Sequence, residues 1–375
     1  MRYLASIGTL LGLSVFMACA QENVPPIQTP STAAYTLEKV VDDSGILWGM
    51  TFISKTEILA TEKGGTLYYC SAGTKQAISN VPEVYVRGQG GLLDVATDPD
   101  FDTNSIIYLT LSSKGRGSEP GGNTALYKAR LVDNSRLEDV ELLYQASPNS
   151  KKGQHWGSRI VFDPQGHLYF GIGDRGNRDV NPQDISRDGG KIYRLNRDGS
   201  IPQDNPFVGQ NGAKEAIFSY GHRNPQGMAT HPTTGEIWVH EHGPRGGDEI
   251  NRIQKGKNYG WPVITYGINY SGTPITTQTK KEGMEQPFYY WVPSIAPSGF
   301  AISDSDKYPN WRGDYFVGSL KFEYLEHLTI ENQQVVAREK IAPNIGRVRN
   351  VQQGPDGYLY LSVEGKGIFK IVSKS

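Results

Sequence analysis

The sequence predicts an all-β protein: a single six-bladed β-propeller of four-stranded antiparallel sheets that occupies residues 35–375. Three observations support this fold class. A loose unit recurs six times, in which an apolar stretch, a turn with Pro or Gly and an alternating strand follow one another. Glycine, proline and tyrosine are abundant, with 44, 22 and 21 residues, which suits many short strands joined by turns. No long amphipathic helical pattern is present.

The size of the repeat is compatible with a propeller. Dividing residues 35–375 among six copies gives about 57 residues each, somewhat more than the ~40–50 of compact propeller repeats. We expect the additional length in long loops on one face. Radial repetition of sheets protects strand edges without disulfides. A pair of β-sandwiches is the alternative architecture, but it would not predict six similar turns.

The first 20 residues predict a secretory signal peptide. Arg2 is followed by an apolar run that is too short and wrongly flanked for a permanent transmembrane helix. The sequence Ala-Cys-Ala at 18–20 supplies a cleavage site before Gln21, so we expect an exported, periplasmic protein. The same residues can also be read as a lipobox, in which case Cys19 would carry a lipid anchor and the protein would be an outer-membrane lipoprotein. Residues 21–34 are polar and Pro-rich, which predicts a flexible linker.

Charge and cysteine content exclude several classes of protein. The net charge is −1, so neither nucleic acid nor a membrane surface is indicated as a partner. Only two cysteines occur in the sequence. Because Cys19 is removed or lipidated, Cys70 has no partner for a disulfide, and we interpret it as a small buried residue at the end of a strand. Stability must then come from a large core.

The six copies of the repeat are distributed along the whole predicted domain. In chain order they begin at Trp48, Gly91, Gly157, Gln226, Ser298 and Val348. Their D-P-Q-G and G-P-D-G turns are typical of hairpins, and the strands after these turns alternate with period two. Loops from every copy would collect at the mouth of a propeller channel, where binding and catalytic residues are expected.

A histidine and an aspartate flank the copy that begins at Gly157. His155 precedes its hairpin and Asp174 follows it, and the two ends of a hairpin lie at the same end of a blade. Asp174 could therefore orient the imidazole of His155, and a carboxylate-held imidazole is a competent general base near neutral pH. His240 and His242 alternate on a strand and suggest a metal, but no third His or Cys ligand has a spacing suited to zinc.

Four cationic side chains occur at the edges of different copies. Arg223 lies in a G-H-R-N-P-Q-G turn, and Lys321 follows the strand at 315–320. Arg347 and Arg349 alternate just before the last copy, so both point the same way. If the four converge on one face, they imply a polyanionic small ligand.

The segment from 218 to 270 has no helical period but is rich in Gly, Pro, His and charged residues. It contains the turn Gly243-Pro244, the acids Asp248 and Glu249, and an N-Y-G-W-P loop. The spacing is not that of an EF-hand. Backbone carbonyls and carboxylates can nevertheless hold a hard cation beside an anionic ligand.

Taken together, these residues resemble the soluble quinoprotein glucose and aldose sugar dehydrogenases, which use pyrroloquinoline quinone (PQQ). The resemblance runs from about Leu47 to the C-terminus. Its motifs are RGQGGLLDVATDPDF, QHWGSRIVFDPQGHLYFGIGDRG, GHRNPQG, EHGPRGGDEINRI-x-KGKNYGWP, PSIAPSG, GSLK and GRVRNV. The shorter bacterial aldose dehydrogenases are the more similar branch, since the long inserted loops of the glucose enzyme have no counterpart here.

The resemblance implies an enzyme that uses PQQ and Ca²⁺ to oxidise aldose sugars at C1 to lactones, and that passes the electrons to an external acceptor such as a quinone, a cytochrome or a dye. It implies that His155 is the general base, supported by Asp174, with hydride transfer to C5 of PQQ. It also implies that Arg223 polarises the C5 carbonyl. The other cofactor-binding residues that it implies are Gln89, Asn224, Lys321, Arg347 and Arg349.

The resemblance also implies two calcium sites. The carbonyls of Gly243 and Pro244 match those that bind the calcium bridging to PQQ. Glu249 and Tyr259 match ligands of a second, structural calcium, with Asp248 beside them.

One residue departs from the pattern of the family. The glucose enzyme has an acid immediately before the catalytic histidine, whereas this chain has Gln154, so the positioning of the sugar is open. Two other functions share the fold: a calcium-dependent lactonase and a non-catalytic binding propeller of the hedgehog-interacting type. The lactonase has no use for the cationic group of Lys321, Arg347 and Arg349. The binding propeller lacks the cofactor pocket, whereas this chain retains His155, Arg223, Asn224 and the cationic group.

Overall fold

The computed structural model describes residues 27–28, 35–115 and 119–373, with the backbone alone at 27–28. Within these residues the strands form six radially arranged sheets, which confirms the predicted six-bladed β-propeller. The predicted signal peptide, Cys19 and the linker residues other than 27–28 lie outside the described residues. None of the helices in the described part of the chain is long and apolar enough to span a bilayer.

The strands follow the chain blade by blade. Two strands precede the first complete blade, β1 (Ile27–Gln28) and β2 (Tyr35–Val41). Blade 1 contains β3 (Leu47–Phe52), β4 (Glu57–Glu62), β5 (Thr66–Ser71) and β6 (Thr74–Ile78). Blade 2 contains β7 (Leu92–Thr97), β8 (Ile106–Ser113), β9 (Asn123–Val132) and β10 (Arg136–Gln145). Blade 3 contains β11 (Ile160–Phe162), β12 (Leu168–Ile172), β13 (Lys191–Leu195) and β14 (Ile217–Tyr220).

The second half of the chain continues in the same order. Blade 4 contains β15 (Pro225–Thr230), β16 (Ile237–Glu241), β17 (Asp248–Arg252) and β18 (Tyr289–Trp291). Blade 5 contains β19 (Pro297–Ile302), β20 (Tyr315–Ser319), β21 (Tyr324–Glu331) and β22 (Gln334–Ile341). Blade 6 contains β23 (Val348–Gln353), β24 (Leu359–Val363) and β25 (Gly367–Ser373). Helical residues are limited to α1 (Phe101–Asn104) and the 3₁₀ turns Asn181–Gln183 and Pro309–Trp311 in the part of the chain described.

The ring is closed by strands from both ends of the chain. The outer strand of blade 6 is β2, which pairs antiparallel with β25 through Thr36↔Val372 and neighbouring pairs. Each predicted repeat copy begins within three residues of the first strand of a blade. These first strands contact one another in order around the axis, and β23 contacts β3 to complete the circle.

Blade 5 differs from the predicted four-stranded sheet. It has a fifth strand, because β1 pairs in parallel with β22 through Ile27↔Arg338 and Gln28↔Glu339. This strand lies within the segment predicted as a linker. A strand of two residues has no alternating pattern, so the sequence carried no signal for it.

The core lies between the faces of neighbouring blades. Large clusters of buried side chains join blades 5 and 6 and blades 1 and 2, with Phe316, Leu361, Leu59 and Leu109 among the fully buried members. Cys70 is buried in the cluster between blades 6 and 1, and burial raises the pKa of its thiol to about 12. The thiol therefore packs as a small hydrophobe, as predicted.

A buried ion pair lies at the centre of the propeller. The guanidinium of Arg159 donates to Asp94 Oδ1 at 2.9 Å. It also donates to the carbonyls of Trp48, Gln226 and Arg349, and so reaches the first strands of four other blades. We call Arg159 and Asp94 the axial ion pair. Because β-strands alternate in direction, the loops before the first and after the second strand of every blade lie at one end of the propeller, the top face.

Candidate active site

Two cavities open on the top face, and they contain most of the residues that the sequence predicted. The larger, which we call the axial cavity, has a volume of about 820 Å³. The smaller, which we call the lateral cavity, has a volume of about 360 Å³. The predicted residues that line the axial cavity are Gln89, Asn224, Gly243, Pro244, Lys321, Arg347 and Arg349. Those that line the lateral cavity are His155, Asp174, Arg223 and, again, Pro244.

His155 and Asp174 form a hydrogen-bonded pair at the wall of the lateral cavity. His155 Nδ1 lies 2.6 Å from Asp174 Oδ1, as the positions of the two residues at the ends of one hairpin predicted. The same oxygen accepts the backbone N–H of Gly176 at 2.7 Å, and the other carboxylate oxygen accepts the indole N–H of Trp261 at 3.0 Å. Both oxygens of Asp174 are therefore held, which fixes the imidazole plane and leaves His155 Nε2 for a ligand.

Electrostatics keep this imidazole neutral. Burial, together with the positive charge of Arg223, lowers the pKa of His155, although the hydrogen bond with Asp174 acts in the opposite direction. Burial tends to raise the pKa of Asp174, but the hydrogen bond and charge of His155, the charge of Arg223 and the hydrogen bond from Gly176 together outweigh burial, so the pKa lies below the ordinary value. At neutral pH the pair is a neutral imidazole on a carboxylate, the state in which a general base accepts a proton.

Backbone geometry brings this histidine to the cavity wall. His155 has a φ of +58°, in the left-handed region that most residues avoid. Its N–H donates to Gln89 Oε1 at 2.8 Å, which links the histidine loop to blade 2. Beneath it, the guanidinium of Arg175 stacks on the Trp156 ring at 3.2 Å and donates to the carbonyls of residues 122, 152 and 154. The strained loop is therefore held from below by a buried cation.

Arg223 and Asn224 connect the two cavities. The guanidinium of Arg223 donates to the carbonyls of His242 and Gly243 at 2.9 and 3.2 Å and lies 5.4 Å from the centre of the Trp261 ring. Asn224 is buried beside it and lines the axial cavity. Arg223 thus presents a positive charge between the imidazole and the Gly243 turn.

The cationic side of the axial cavity contains a carboxylate that sequence reasoning missed. Glu364 accepts from Arg347 Nε at 2.6 Å and from Arg349 Nε at 2.9 Å. Arg349 also reaches Gln226 Oε1 at 3.3 Å. Lys321 is exposed, and no ion pair forms with it among the described residues. The two arginines face the same cavity, as their alternation predicted, but one carboxylate already orients both.

Part of the wall of the axial cavity is apolar. Trp48, Leu93 and Trp156 form a buried cluster on which Ile46 packs, and all four line the cavity. A flat aromatic polyanion fits a cavity of this kind, since its rings can lie on the indole and aliphatic surface while its carboxylates meet the cations. The residues present therefore fit PQQ. Trp48 begins the first repeat copy and Trp156 precedes the third, and nothing in their spacing marked them as binding residues.

The Gly243-Pro244 turn is positioned by Asp248. One Asp248 oxygen accepts the N–H of Gly243 at 2.8 Å, and the other accepts the N–H groups of Ile295 and Ala296 at 2.7 and 3.0 Å. Burial raises the pKa of Asp248 to about 6. Its oxygens are thus directed at backbone N–H groups behind the turn, whereas Gly243 and Pro244 line the axial cavity and can offer carbonyl oxygens, the donors that calcium prefers.

Glu249 and Tyr259 border a third, much smaller cavity of about 10 Å³, which has room for a single ion. Glu241 lines the same space. Burial and the charge of Glu241 raise the pKa of Glu249 to about 8. Two buried carboxylates beside one small cavity fit a divalent cation, which would satisfy both charges. Within the described residues no cluster of three acidic, His or Cys side chains forms, so the other ligands would be carbonyl or hydroxyl oxygens.

The histidines considered for zinc are hydrogen-bonded to backbone carbonyls, although His242 also lines the axial cavity. His240 Nε2 lies 2.9 Å from the carbonyl oxygen of Gly299, and His242 Nε2 lies 2.6 Å from that of Pro297. Burial lowers the pKa of both, in His240 to about 3. Each imidazole is thus a neutral group hydrogen-bonded to blade 5.

The sequence and the fold of this chain are similar to those of known proteins. The sequence profile of the Glucose / Sorbosone dehydrogenase family matches residues 45–370. Aldose sugar dehydrogenase YliI of Escherichia coli (strain K12) is 42% identical over 337 residues, which cover 88% of this chain and 90% of that protein. Quinoprotein glucose dehydrogenase B of Acinetobacter calcoaceticus is 30% identical over 360 residues, 86% of this chain and 72% of that protein.

A solved structure shows the same architecture. The apo-form of the soluble aldose sugar dehydrogenase of Escherichia coli superimposes with a TM-score of 0.85 at 38% identity, covering 91% of this chain and all of that chain. The propeller fold and these similarities together identify a sugar dehydrogenase of the quinoprotein class. The chain belongs to the glucose/sorbosone dehydrogenase family, which confirms the resemblance drawn from its motifs and makes it an oxidoreductase.

Proposed function

We propose that this protein oxidises aldose sugars at C1 to the corresponding lactones, using PQQ and Ca²⁺, and transfers the electrons to an external acceptor. The observation that carries the proposal is the position of the His155–Asp174 pair in the lateral cavity, next to a cavity that combines cations with an apolar wall. A general base next to a binding site for a polyanion suits an oxidation in which the same carbinol loses a proton and a hydride.

The residues of the axial cavity would hold the cofactor. Lys321, Arg347 and Arg349 would bind its carboxylates, and Gln89 and Asn224 would bind its polar edge. The carbonyls of Gly243 and Pro244 would bind the calcium next to it. PQQ, when bound, supplies the electron-accepting quinone, and calcium increases its electrophilicity.

The residues that line the lateral cavity would carry out the proton transfer and the charge stabilisation of the reaction. His155 Nε2 would accept the proton of the C1 hydroxyl, and the resulting imidazolium would be stabilised by the carboxylate of Asp174. Arg223 would stabilise negative charge where the two cavities meet. The C1 hydrogen leaves with its electron pair, so the sugar loses two electrons and becomes the lactone.

Reconstitution tests this proposal. Chelator-treated apoprotein should be inactive with a panel of aldoses and a redox dye, and PQQ plus Ca²⁺ should restore activity. Addition of PQQ or Ca²⁺ alone is the control for the requirement of both. Activity with NAD in place of PQQ, or hydrolysis of lactones without PQQ, would contradict the proposal.

We also propose that residues 1–20 direct export to the periplasm. The mass of the mature protein tests this and separates two forms. Cleavage before Gln21 leaves an unmodified N-terminus, whereas a lipoprotein begins at Cys19 with a covalent lipid. A mature protein that still carries residues 1–20 would contradict export through this segment.

A further inference from the structure

One exposed aromatic residue stands at the boundary of the two cavities. Pro244 and Tyr270 are the residues that line both the axial and the lateral cavity among those described. Pro244 belongs to the proposed calcium turn, but Tyr270 has no role in the functions described above. It lies on the long loop between β17 and β18, which rises to the top face and returns.

The backbone that presents Tyr270 is tightly held. Asn269 and Thr273 form a turn: the N–H of Asn269 donates to the carbonyl of Thr273 at 2.9 Å, and its side-chain amide donates to Thr273 Oγ1 at 3.1 Å. Arg178, from the blade 3 loop that also carries Asp174, donates to Asn269 Oδ1 at 2.9 Å. The turn is therefore tied across the lateral cavity to the loop of the catalytic pair.

The side chain, in contrast, is not used by the fold. Tyr270 is 72% exposed, and its hydroxyl makes no hydrogen bond with any residue in the described ranges. A large aromatic ring on a rigid, solvent-facing turn contributes little to stability. Exposed aromatic rings at the mouth of a cavity are typical of ligand recognition, because they supply contact area at a small cost in conformational entropy.

The chemistry of the lateral cavity indicates what the ring would contact. Gln154, Asn177 and Asp179 line the lateral cavity but not the axial cavity, and they supply hydrogen-bonding groups. A sugar ring has polar hydroxyls at its rim and an apolar face of C–H groups. Polar side chains at one wall and an aromatic ring at the mouth are complementary to these two features.

We propose that Tyr270 is a substrate-positioning residue whose ring covers the C–H face of an aldose in the lateral cavity, with Asn269 and Arg178 holding its turn in place. This inference rests on the proposed function. It specifies that recognition of the sugar depends on a face contact made by the β17–β18 loop, in addition to hydrogen bonds.

Substitutions of Tyr270 test the contact in the reconstituted holoenzyme. With the aldose of lowest KM, Tyr270→Ala should raise KM about five- to twentyfold and change kcat less than about threefold, because the contact is made equally in the bound sugar and in the transition state. Tyr270→Phe should stay within about twofold of wild type, since the ring is kept. Asn269→Ala should raise KM by a smaller factor, because the turn is loosened while the ring remains.

A binding measurement separates this role from catalysis and from cofactor binding. The methyl glycoside of the same aldose cannot be oxidised at C1, so its dissociation constant by calorimetry reports sugar binding alone. It should rise in Tyr270→Ala by the same factor as KM, whereas the affinity for PQQ should change less than about threefold. Val336→Ala, which truncates an exposed apolar side chain on β22 of blade 5, is the matched control and should leave every quantity unchanged.

The outcomes are distinct. If the wild type oxidises aldoses but Tyr270→Ala leaves KM and glycoside binding within twofold, the inference is wrong and the proposed function stands. If PQQ affinity falls as much as sugar affinity, Tyr270 belongs to the cofactor site and the inference is also wrong. If the reconstituted wild type oxidises no aldose, the proposed function itself fails.

Discussion

At the scale of single residues, the proposed chemistry depends on how completely one carboxylate is held. Asp174 accepts hydrogen bonds from Gly176 and Trp261 as well as contacting His155, so the imidazole has one orientation. The neutral form of the imidazole is favoured by its burial. Orientation and protonation state together make His155 the group on which the mechanism is most directly tested.

Removing the imidazole should slow the chemical step. We expect His155→Ala to reduce the rate of PQQ reduction by sugar at least about a hundredfold, since a positioned general base contributes ~10²–10⁴ in rate. Stopped-flow absorbance of the loaded enzyme measures this step. PQQ affinity should change much less, because the imidazole carries none of the charge that binds the carboxylates.

Asp174→Asn is the matched variant for His155→Ala. It should give a smaller defect of the same kind, because the base is present but its orientation is lost. Higher pH should partly restore His155→Ala, as hydroxide replaces the base. A wild-type rate in His155→Ala would place the base elsewhere.

The acid side of the pH profile should report this imidazole. The pKa of His155 is lowered, so the neutral base persists below pH 6.5 and is lost only as the pH falls through the lowered pKa. We therefore expect kcat/KM to be constant near neutrality and to decline with a midpoint below 6.5. In Asp174→Asn the midpoint should move further to acid pH, because the hydrogen bond that raises the pKa is weakened. A midpoint above 6.5 in the wild type, or a shift towards neutrality in the variant, is incompatible with this assignment.

At the scale of elements, the β23–β24 hairpin organises the cationic side of the axial cavity. Arg347 and Arg349 lie at the start of β23, and Glu364 follows β24, so the pairing Val348↔Val363 brings the three side chains together. The hairpin thus presents two arginines whose directions are set before any ligand arrives, which reduces the entropy lost on binding.

This arrangement predicts the effect of losing a cation. Arg347→Ala and Lys321→Ala should each weaken PQQ binding about 10–100-fold, because a charge-assisted hydrogen bond contributes ~1.5–3 kcal/mol. Titration of apoprotein with PQQ in the presence of Ca²⁺ measures the affinity. Arg130→Ala, which removes an exposed arginine on blade 2, is the control. Unchanged affinity in both cavity variants would show that these residues are ordinary surface charges.

The same hairpin shows where prediction from the sequence ends. The alternation of Arg347 and Arg349 follows from the period of a strand, and the hairpin follows from the residues of its G-P-D-G turn. The structure agrees with both. Glu364 was missed, because a single acidic residue after a strand has no pattern of its own and acquires its role only through pairing across the hairpin. Trp48 and Trp156 were missed for a related reason: their approach depends on the packing of separate blades.

At the scale of the whole molecule, the number of blades could be predicted because each repeat carries its own turn and alternating strand. What the sequence could not indicate is how the ring is filled at its centre. The axial ion pair joins Arg159 of blade 3 to Asp94 of blade 2, and burial lowers the pKa of the first and raises that of the second. No local pattern relates two residues that meet only after the ring has closed.

Breaking the axial ion pair should destabilise the entire propeller. We expect Asp94→Asn to lower the free energy of unfolding by about 3–5 kcal/mol, because it leaves the buried charge of Arg159 without its counter-ion. Glu138→Gln, which removes one partner of an exposed ion pair with Arg130, should cost less than about 1 kcal/mol. Urea unfolding followed by fluorescence compares the variants. Equal unfolding midpoints would show that the carbonyls around Arg159 suffice without Asp94.

The pairing of β2 with β25 has a consequence for the order in which the protein can be completed. β2 lies near one end of the described chain and β25 near the other, so the other five blades can assemble while the sixth still lacks its outer strand. During that interval β2 is an unpaired edge near the start of the chain, open to pairing with other chains. Pairing with the seven residues of β25 removes this exposed edge and closes the ring.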